Sequence, residues 1–382
     1  MPSTASGGSE SEPLRVAFVS PTYFADESIV GGGERWPLNL AISLTTPESG
    51  WTVDFISFGA AGRSEKLTSQ VTLTLLETGT EDLHIGPGTL DGMSWQLPTL
   101  LDTADLVHVH QPLTRSGEAA ILIAKALGKP LCITDYGGRS SNLGASLGML
   151  NLADAVICYS KFGASILPHA RRVDIVPGGV DSLFFVPGKP TEHRGHLLYA
   201  GRILPHKGVD RIIEALPPHL PLVVCGRPYN DQYFELLIEL AQDKTVEFVV
   251  DADDARLRHL YQHAWATILA SVYRDRYGTT YEQPELMGLT ALESMSCGTP
   301  VIVSDVGALP EFVEHGVTGL IATSDVALRE AMISMCTERG TAITMGLAAR
   351  ERVVDIYSMD VVASRIRHIY REVLADHSTS SL

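Results

Sequence analysis

Apolar residues in this chain fall into short unbroken runs, separated by longer stretches in which they recur every three or four positions. The run LRVAFVS at 14–20 has the length of a strand, and from Glu34 onward Trp36, Leu38, Leu40, Ala41 and Leu44 read as a helix. Gly31, Gly32 and Gly33 lie between them, so the chain opens as strand, glycine-rich loop and helix. Further strands are predicted at 52–58, 71–75, 105–110, 130–134, 155–159 and 172–176, with helices at 114–127 and 161–170. Strands apolar on both faces that alternate with helices imply a parallel sheet covered on both sides.

The stretch VPGGVDSLFFVPGKP at 176–190 breaks this pattern with three prolines and three glycines, as a linker does. The alternation then restarts. Strands are predicted at 196–200, 222–225, 246–250, 266–269 and 301–304, and helices at 209–216, 229–242, 255–263, 289–297 and 309–314. From Val326 to about Ala375 the chain reads as helical, with breaks near Gly340 and Tyr357. The expected organisation is a tail at 1–12, a Rossmann-like domain at 13–180, a second at 181–355, and a helix at 356–382 crossing back onto the first. Ligands of open α/β sheets sit at the carboxyl ends of the strands, so the expected site is a central cleft that both domains face.

Composition narrows the classes. The chain has 382 residues, 45% hydrophobic and 19% charged, enough for two domains with their own cores. The formal net charge is −16, and the sequence shows no basic stripe for nucleic acid and no polybasic helix for an anionic membrane surface, though a net charge does not exclude a local basic groove. Cys132, Cys158, Cys225, Cys297 and Cys336 are scattered and odd in number, which favours a reduced, cytoplasmic setting. Residues 1–12 lack the basic and apolar regions of a signal peptide, and no apolar run approaches the roughly 20 residues of a membrane helix.

The candidate chemistry centres on ELMGLTALESMSCGTP at 285–300. Glu285 lies in a loop, Gly288 precedes a helix carrying Glu293, and Gly298, Thr299 and Pro300 end that helix. The unpaired N–H groups at the helix start near Gly288 and Leu289 suit an anion. Two carboxylates beside an anion site suit a ligand with many hydroxyls and a phosphate, such as a nucleotide sugar. Earlier, GRILPHKG at 201–208 presents Arg202 and Lys207 just after a strand, where a loop enters the cleft. Read alone, these two are as readily a pair of solvated surface cations as donors to an anionic ligand. His108 and His110 share one face of their strand, but no third ligand accompanies them, and no metal is expected.

Taken together, these motifs resemble the large retaining family four of glycosyltransferases, which have the GT-B architecture. The resemblance is carried in order by GGGE at 31–34, DLVHVH at 105–110, VPGGVD at 176–181, GRILPHKG and PELMGLTALESMSCGTPVI at 284–302. It implies that Arg202 and Lys207 bind the diphosphate, that Glu293 accepts from the ribose hydroxyls, and that Glu285 meets the sugar's 3-hydroxyl. It further implies that backbone at Met287, Gly288 and Leu289 holds sugar and phosphate oxygens, and that His110 reaches the 6-hydroxyl. Gly32 and Gly33 would permit close approach of backbone to phosphate or acceptor. Tyr136 and Arg139, in DYGGRSS at the end of another strand, face the acceptor by topology alone.

The implied reaction is retaining transfer of a hexose from a nucleoside-diphosphate sugar, UDP first by family frequency, without metal or other cofactor. The acceptor is a hydroxyl in polysaccharide, glycolipid or small-glycoside biosynthesis, and a lipid-linked acceptor stays open. Competing readings are a nucleotide-sugar-binding module without turnover, and a nicotinamide-dependent oxidoreductase, which would need a GxGxxG that neither half carries. Four features depart from the family pattern: Gly179 stands where Asn is usual, Met287 replaces an aromatic, Thr290 replaces an aliphatic residue, and the segment 273–284 is long and polar, in keeping with a lid or specificity loop.

Overall fold

The computed structural model describes residues 12–21, 32–59, 61–78, 92–135, 137, 143–167, 170–189 and 194–380. Most of the expected tail lies outside them. So do Gly31, Tyr136 and Arg139.

The chain forms two compact units. One comprises Met1–Val156, Pro168–Arg172 and Ile366–Leu382, and the other Ile157–Leu167 and Val173–Arg365. The first sheet contains β1 (Leu14–Val19), β2 (Trp51–Gly59), β3 (Arg63–Lys66), β4 (Val71–Glu77), β5 (Leu106–His110), β6 (Leu131–Thr134), β7 (Ala155–Cys158) and β8 (Val173–Ile175). Its strand order is β3-β4-β2-β1-β5-β6-β7-β8. The second contains β9 (His196–Ala200), β10 (Leu222–Cys225), β11 (Val246–Val249), β12 (Ala264–Leu269), β13 (Val301–Ser304) and β14 (Gly319–Ala322), in the order β11-β10-β9-β12-β13-β14.

Both sheets are parallel except at one edge. β3 runs antiparallel to β4. Its sequence, RSEK, is exposed throughout, so no apolar pattern announces it, and its charges protect an open sheet edge. β14 is the other strand outside the expected set. It is four residues long, with Val301 paired to Gly319 and Ser304 to Ala322.

The continuous apolar runs are explained by burial on both faces. In the second sheet Leu197, Tyr199, Val224, Ile268 and Ile302 belong to one core cluster. The alternate residues Leu198, Ala200, Val223, Leu269, Val301 and Val303 belong to the other. Each such side chain contributes about 1.5–3 kcal/mol when it leaves water, and the buried polar residues within these strands, Thr267 and Ser304, are hydrogen-bonded.

Helix boundaries follow local chemistry. Thr114 caps the helix Arg115–Ala126, its hydroxyl accepting from the Gly117 amide at 3.1 Å. Asn230 and Asp253 do the same for Asp231–Leu240 and Asp254–His263. The helix predicted over 161–170 stops at Ser165, since Pro168 biases the residue before it away from helical backbone. The first helix begins at Gly32, earlier than predicted, so Gly32 and Gly33 belong to its first turn. Near the C-terminus the helices are Asp325–Thr337, Arg339–Arg352 and Met359–Ser380, with a short wide turn at Val353–Tyr357.

Strand order decides where a site can form. In the first sheet β1 lies between β2 and β5, and in the second β9 lies between β10 and β12. The chain leaves in opposite directions from each central strand, which opens a crevice at the carboxyl ends of those neighbours. His110 ends β5, while residues 201–208 follow β9 and residues 270–288 follow β12.

Candidate active site

Two loops at the switch point of the second sheet bring distant charges together. The loop after β9 tightens into a single turn, Pro205–Lys207, closed by Gly208. Gly208 has φ +67°, and a Cβ there would lie 2.1 Å from the Ala270 carbonyl oxygen. Only glycine permits this left-handed backbone in that contact. The loop after β9 thereby lies flat against the end of β12, and the Val272 amide donates to the His206 carbonyl at 2.9 Å.

From that turn the Lys207 ammonium reaches Glu285 Oε1 at 2.6 Å and the Pro284 carbonyl at 3.3 Å. Ser271, just beyond β12, donates its hydroxyl to the same carboxylate oxygen at 2.6 Å. Both charged side chains are largely buried, 14% and 12% exposed. Burial by itself would raise the Glu285 pKa. The Lys207 charge and hydrogen bond, the Ser271 hydroxyl and His206 outweigh it and hold the carboxyl below its ordinary range. His206 is held neutral, pushed down to about 4 by burial and then by the neighbouring Lys207 charge.

The helix Leu289–Ser296 begins four residues after Glu285. Its cap position is Gly288, left-handed and with no side-chain hydrogen bond at the cap. The amides of the first turn of any helix have no intrahelical acceptor, and they carry the positive end of its dipole. One turn on, Glu293 is 4% exposed and accepts from the Tyr261 hydroxyl at 2.9 Å. Burial, and then the Glu293 charge, push the tyrosine well above its usual pKa.

The other expected residues divide between the units. The Arg202 carbonyl accepts from Tyr199 at 2.6 Å, and its side chain is exposed. The charges of Glu285 and Arg202 act on Tyr199 with opposite sign. Met287 lies against Gly178, where a Cβ would fall 2.2 Å from its sulfur, so this methionine uses space that a larger linker residue would take. At Gly179, a Cβ would lie 2.5 Å from Met359 Sδ and 3.1 Å from Val362, and an Asn there would have to displace the methionine.

In the first unit His108 and His110 are both fully buried. His108 is a satisfied core histidine, with Tyr370 Oη at 2.6 Å and Thr134 Oγ1 at 2.7 Å. Burial lowers it to about 3, and lowers His110 well below the usual imidazole value, with His108 adding to the effect. The His110 ring packs between Phe18 and His108, with centroids 4.6 and 4.1 Å away. Among the described residues no group of three or more His, Cys, Asp and Glu side chains forms a possible metal site. All five cysteines are free thiols, and no described helix is long and apolar enough to cross a membrane.

Several residues escape a sequence reading. Ser271 and His206 carry no motif of their own, and only the adjacency of β9 and β12 reveals them. Gln111, directly after His110, has φ +57° and is 6% exposed. Its amide donates to the Thr134 carbonyl at 2.9 Å, and its carbonyl accepts from Thr114 Oγ1 at 2.9 Å. Such over-determined strain gathers at functional sites. At the carboxyl end of β11 a cavity of about 410 Å³ is lined by Glu247, Phe248, Val249, Asp251, Ala252, Asp253 and Arg256.

Comparison with known proteins assigns the chain to a class. Residues 183–352 match the Glycosyl transferases group 1 family and residues 30–182 match Glycosyltransferase Family 4. The chain belongs to this glycosyltransferase family and has the GT-B fold. It is 30% identical over 234 residues to the alpha-maltose-1-phosphate synthase of Mycolicibacterium smegmatis, a match covering 53% of this chain and 58% of that protein. The chain therefore spans little more than half the length of this relative. Among solved structures, sucrose-phosphate synthase from Thermosynechococcus elongatus superposes with a TM-score of 0.76 at 22% identity, covering 95% of this chain and all of that one. The Anabaena HepE protein in complex with UDP and glucose superposes at 0.73 and 15% identity, over 94% of this chain and 100% of that one.

Proposed function

We propose that this glycosyltransferase is a retaining, metal-independent hexosyltransferase that uses a nucleoside-diphosphate sugar of the UDP-glucose type. The acceptor is a hydroxyl in polysaccharide, glycolipid or small-glycoside biosynthesis. The observation that carries the reading is the largely buried Lys207–Glu285–Ser271 cluster, just before the start of the helix Leu289–Ser296, whose cap Gly288 makes no side-chain hydrogen bond. A diphosphate placed there meets a fixed ammonium and oriented amides, and these interactions strengthen as negative charge builds on the leaving group. The UDP and glucose bound by the Anabaena protein, and the sugar-phosphate chemistry in the names of the other relatives, are in keeping with such a donor.

In this reading Lys207 and Arg202 take up the charge of the leaving diphosphate. Glu285, kept ionised by its partners, accepts from the sugar's 3-hydroxyl, with backbone at Met287, Gly288 and Leu289 around sugar and phosphate oxygens. Glu293, oriented by Tyr261, accepts from the ribose, and the base enters the cavity at the end of β11. His110, Gly32 and Gly33 take their donor-side roles, and Tyr136 and Arg139 their acceptor roles, from the family resemblance and topology. A retaining glycosidase needs a carboxylate nucleophile opposite the leaving group. Glu285 is instead tied to Lys207, on the side assigned to the diphosphate. The chemistry then runs on one face, the leaving phosphate oxygen taking the acceptor's proton as the new bond forms. The test is a thermal-shift panel of UDP-, GDP- and ADP-sugars, since a ligand of the folded state raises Tm. A Tm unmoved by every nucleotide sugar sinks the proposal.

A further inference from the structure

The polar stretch that follows β12 is a closed hairpin within the second unit. Arg274 and Thr280 form an antiparallel bridge, and the Tyr281 amide donates to the Tyr273 carbonyl at 2.7 Å. Its hub is Asp275, 7% exposed. One carboxylate oxygen accepts from the amides of Tyr277 at 3.0 Å and Thr279 at 2.9 Å, and the other from the Tyr281 hydroxyl at 2.9 Å. These bonds make the hairpin one ordered unit, so it keeps its own shape whatever it packs against.

Three attachments tie this hairpin to the surroundings of Lys207 and Glu285. The Tyr281 ring lies against the imidazole of His206, the residue before Lys207, with centroids 4.5 Å apart and planes 35° from parallel. Arg276 pairs with Asp210 at 3.2 Å and Glu214 at 3.3 Å, on the helix that follows the Lys207 turn. The Tyr273 hydroxyl accepts from the Gly307 amide at 2.9 Å, and the next amide, Ala308, holds the Glu285 carbonyl at 3.0 Å. The hairpin thus grips the Lys207 loop through a ring and an ion pair, and the Glu285 loop through a turn. None of these contacts involves the ammonium or the carboxylate directly, so the pair stays available to a ligand.

We infer that the 273–281 hairpin is a positioning device that sets the geometry of the Lys207–Glu285 pair, with Tyr281 and Asp275 as its positioning residues. This rests on the donor-site reading of that pair. Lysine has a long flexible stem, and its ammonium stays at one point only if the backbone beneath it is fixed. His206 is that backbone's neighbour, and Tyr281 is the surface that stops it from turning. The hydroxyl bond to Asp275 fixes the ring's angle in turn. A displacement of even 1 Å at such a cation costs about a hundredfold in rate.

The experiment compares wild type with Tyr281→Ala, Tyr281→Phe, Asp275→Asn and Arg276→Gln. Acylation of Lys207 by an amine-reactive reagent is measured by mass spectrometry on ligand-free protein, beside kcat and KM for the donor identified by thermal shift. Tyr281→Ala and Asp275→Asn are expected to raise Lys207 acylation about tenfold and to lower kcat about tenfold with little change in donor KM. Tyr281→Phe keeps the ring against His206 and should recover most of both. Arg276→Gln, which leaves the hub intact, gives a smaller change in the same direction and serves if Asp275→Asn fails to fold. Lys207 acylation equal to wild type in Tyr281→Ala and Asp275→Asn overturns the inference. If wild type binds no nucleotide sugar, the donor reading fails separately, and the ligand-free labelling alone decides whether the hairpin sets the pair.

Discussion

The two units share a doubly wound sheet and treat buried polar groups in opposite ways. At the end of β5 the first unit buries two imidazoles and keeps them neutral. At the ends of β9 and β12 the second unit largely buries a carboxylate beside an ammonium, and the pairing keeps the carboxylate charged. Desolvation opposes the charged form in both places. It prevails at His108, whose two partners are the neutral Tyr370 and Thr134. It loses at Glu285, where Lys207 and Ser271 both donate to one oxygen. The lesson is that partner chemistry decides protonation at a strand end, and depth alone does not.

The largest expected effect tests the charged end. Lys207→Ala should lower kcat for sugar transfer by about 10²–10³, the scale of losing one oriented charge stabiliser. Glu285→Ala should do comparable damage. The double variant should lose little more than either single, because the two side chains act as a unit. Near-normal turnover in either single variant would break the contrast at its centre.

The neutral end is tested by pH. Unfolded histidine gains a proton below about 6.5, whereas folded His108 resists protonation down to about 3. Stability therefore falls on acidification through that window, by about 1.4 kcal/mol per pH unit for each such histidine. His108→Gln should be less stable near pH 7 yet show a shallower decline between pH 6.5 and 4, in urea unfolding at stepped pH. An unchanged slope would remove His108 from the account. Glu285 acts in the same sense but in a lower window, below the ordinary carboxylate range. Its folded pKa lies below the unfolded one, so its contribution persists above the ordinary carboxylate range and is lost only as pH falls through the lowered value. His196 and His206, both near 4, give the second unit its own share of the acid slope.

Gly208→Ala probes the backbone that sets the charged end. A Cβ 2.1 Å from the Ala270 carbonyl, on left-handed backbone, should cost about 2 kcal/mol or more of stability. It should also weaken donor binding, read as a lower Tm and a smaller Tm rise with nucleotide sugar. Wild-type values for both would show that the loop tolerates displacement. The smallest effect is expected from Tyr261→Phe, which removes one donor to buried Glu293 and should cost about 1 kcal/mol. A rise in donor KM with kcat retained would mark Glu293 as a binding group.

Much of the architecture is legible in the residues. The strands carrying the two cores read directly as apolar runs, because a parallel sheet covered on both faces demands apolar residues at every position. The helix at Leu289–Ser296 was visible from Gly288, its apolar spacing and the Gly298–Pro300 stop. β3 was not, since RSEK has no buried face to leave a pattern. The left-handed backbone of Gln111 was equally hidden, because glutamine has no preference for it and Thr134 and Thr114 impose it.

Sequence alone determined which segments become strands and helices, which carboxylates and cations stand in motifs, and that two similar α/β halves follow one another. Those properties depend on residues close in the chain, through periodicity, caps and turns. Tertiary structure decided that Lys207 meets Glu285 across 78 positions, that Ser271 shares the same oxygen, and that Tyr281 lies against His206. Strand order is the reason. β12 takes its place beside β9 although two other strands intervene in the chain, and only then do the loops at their carboxyl ends converge.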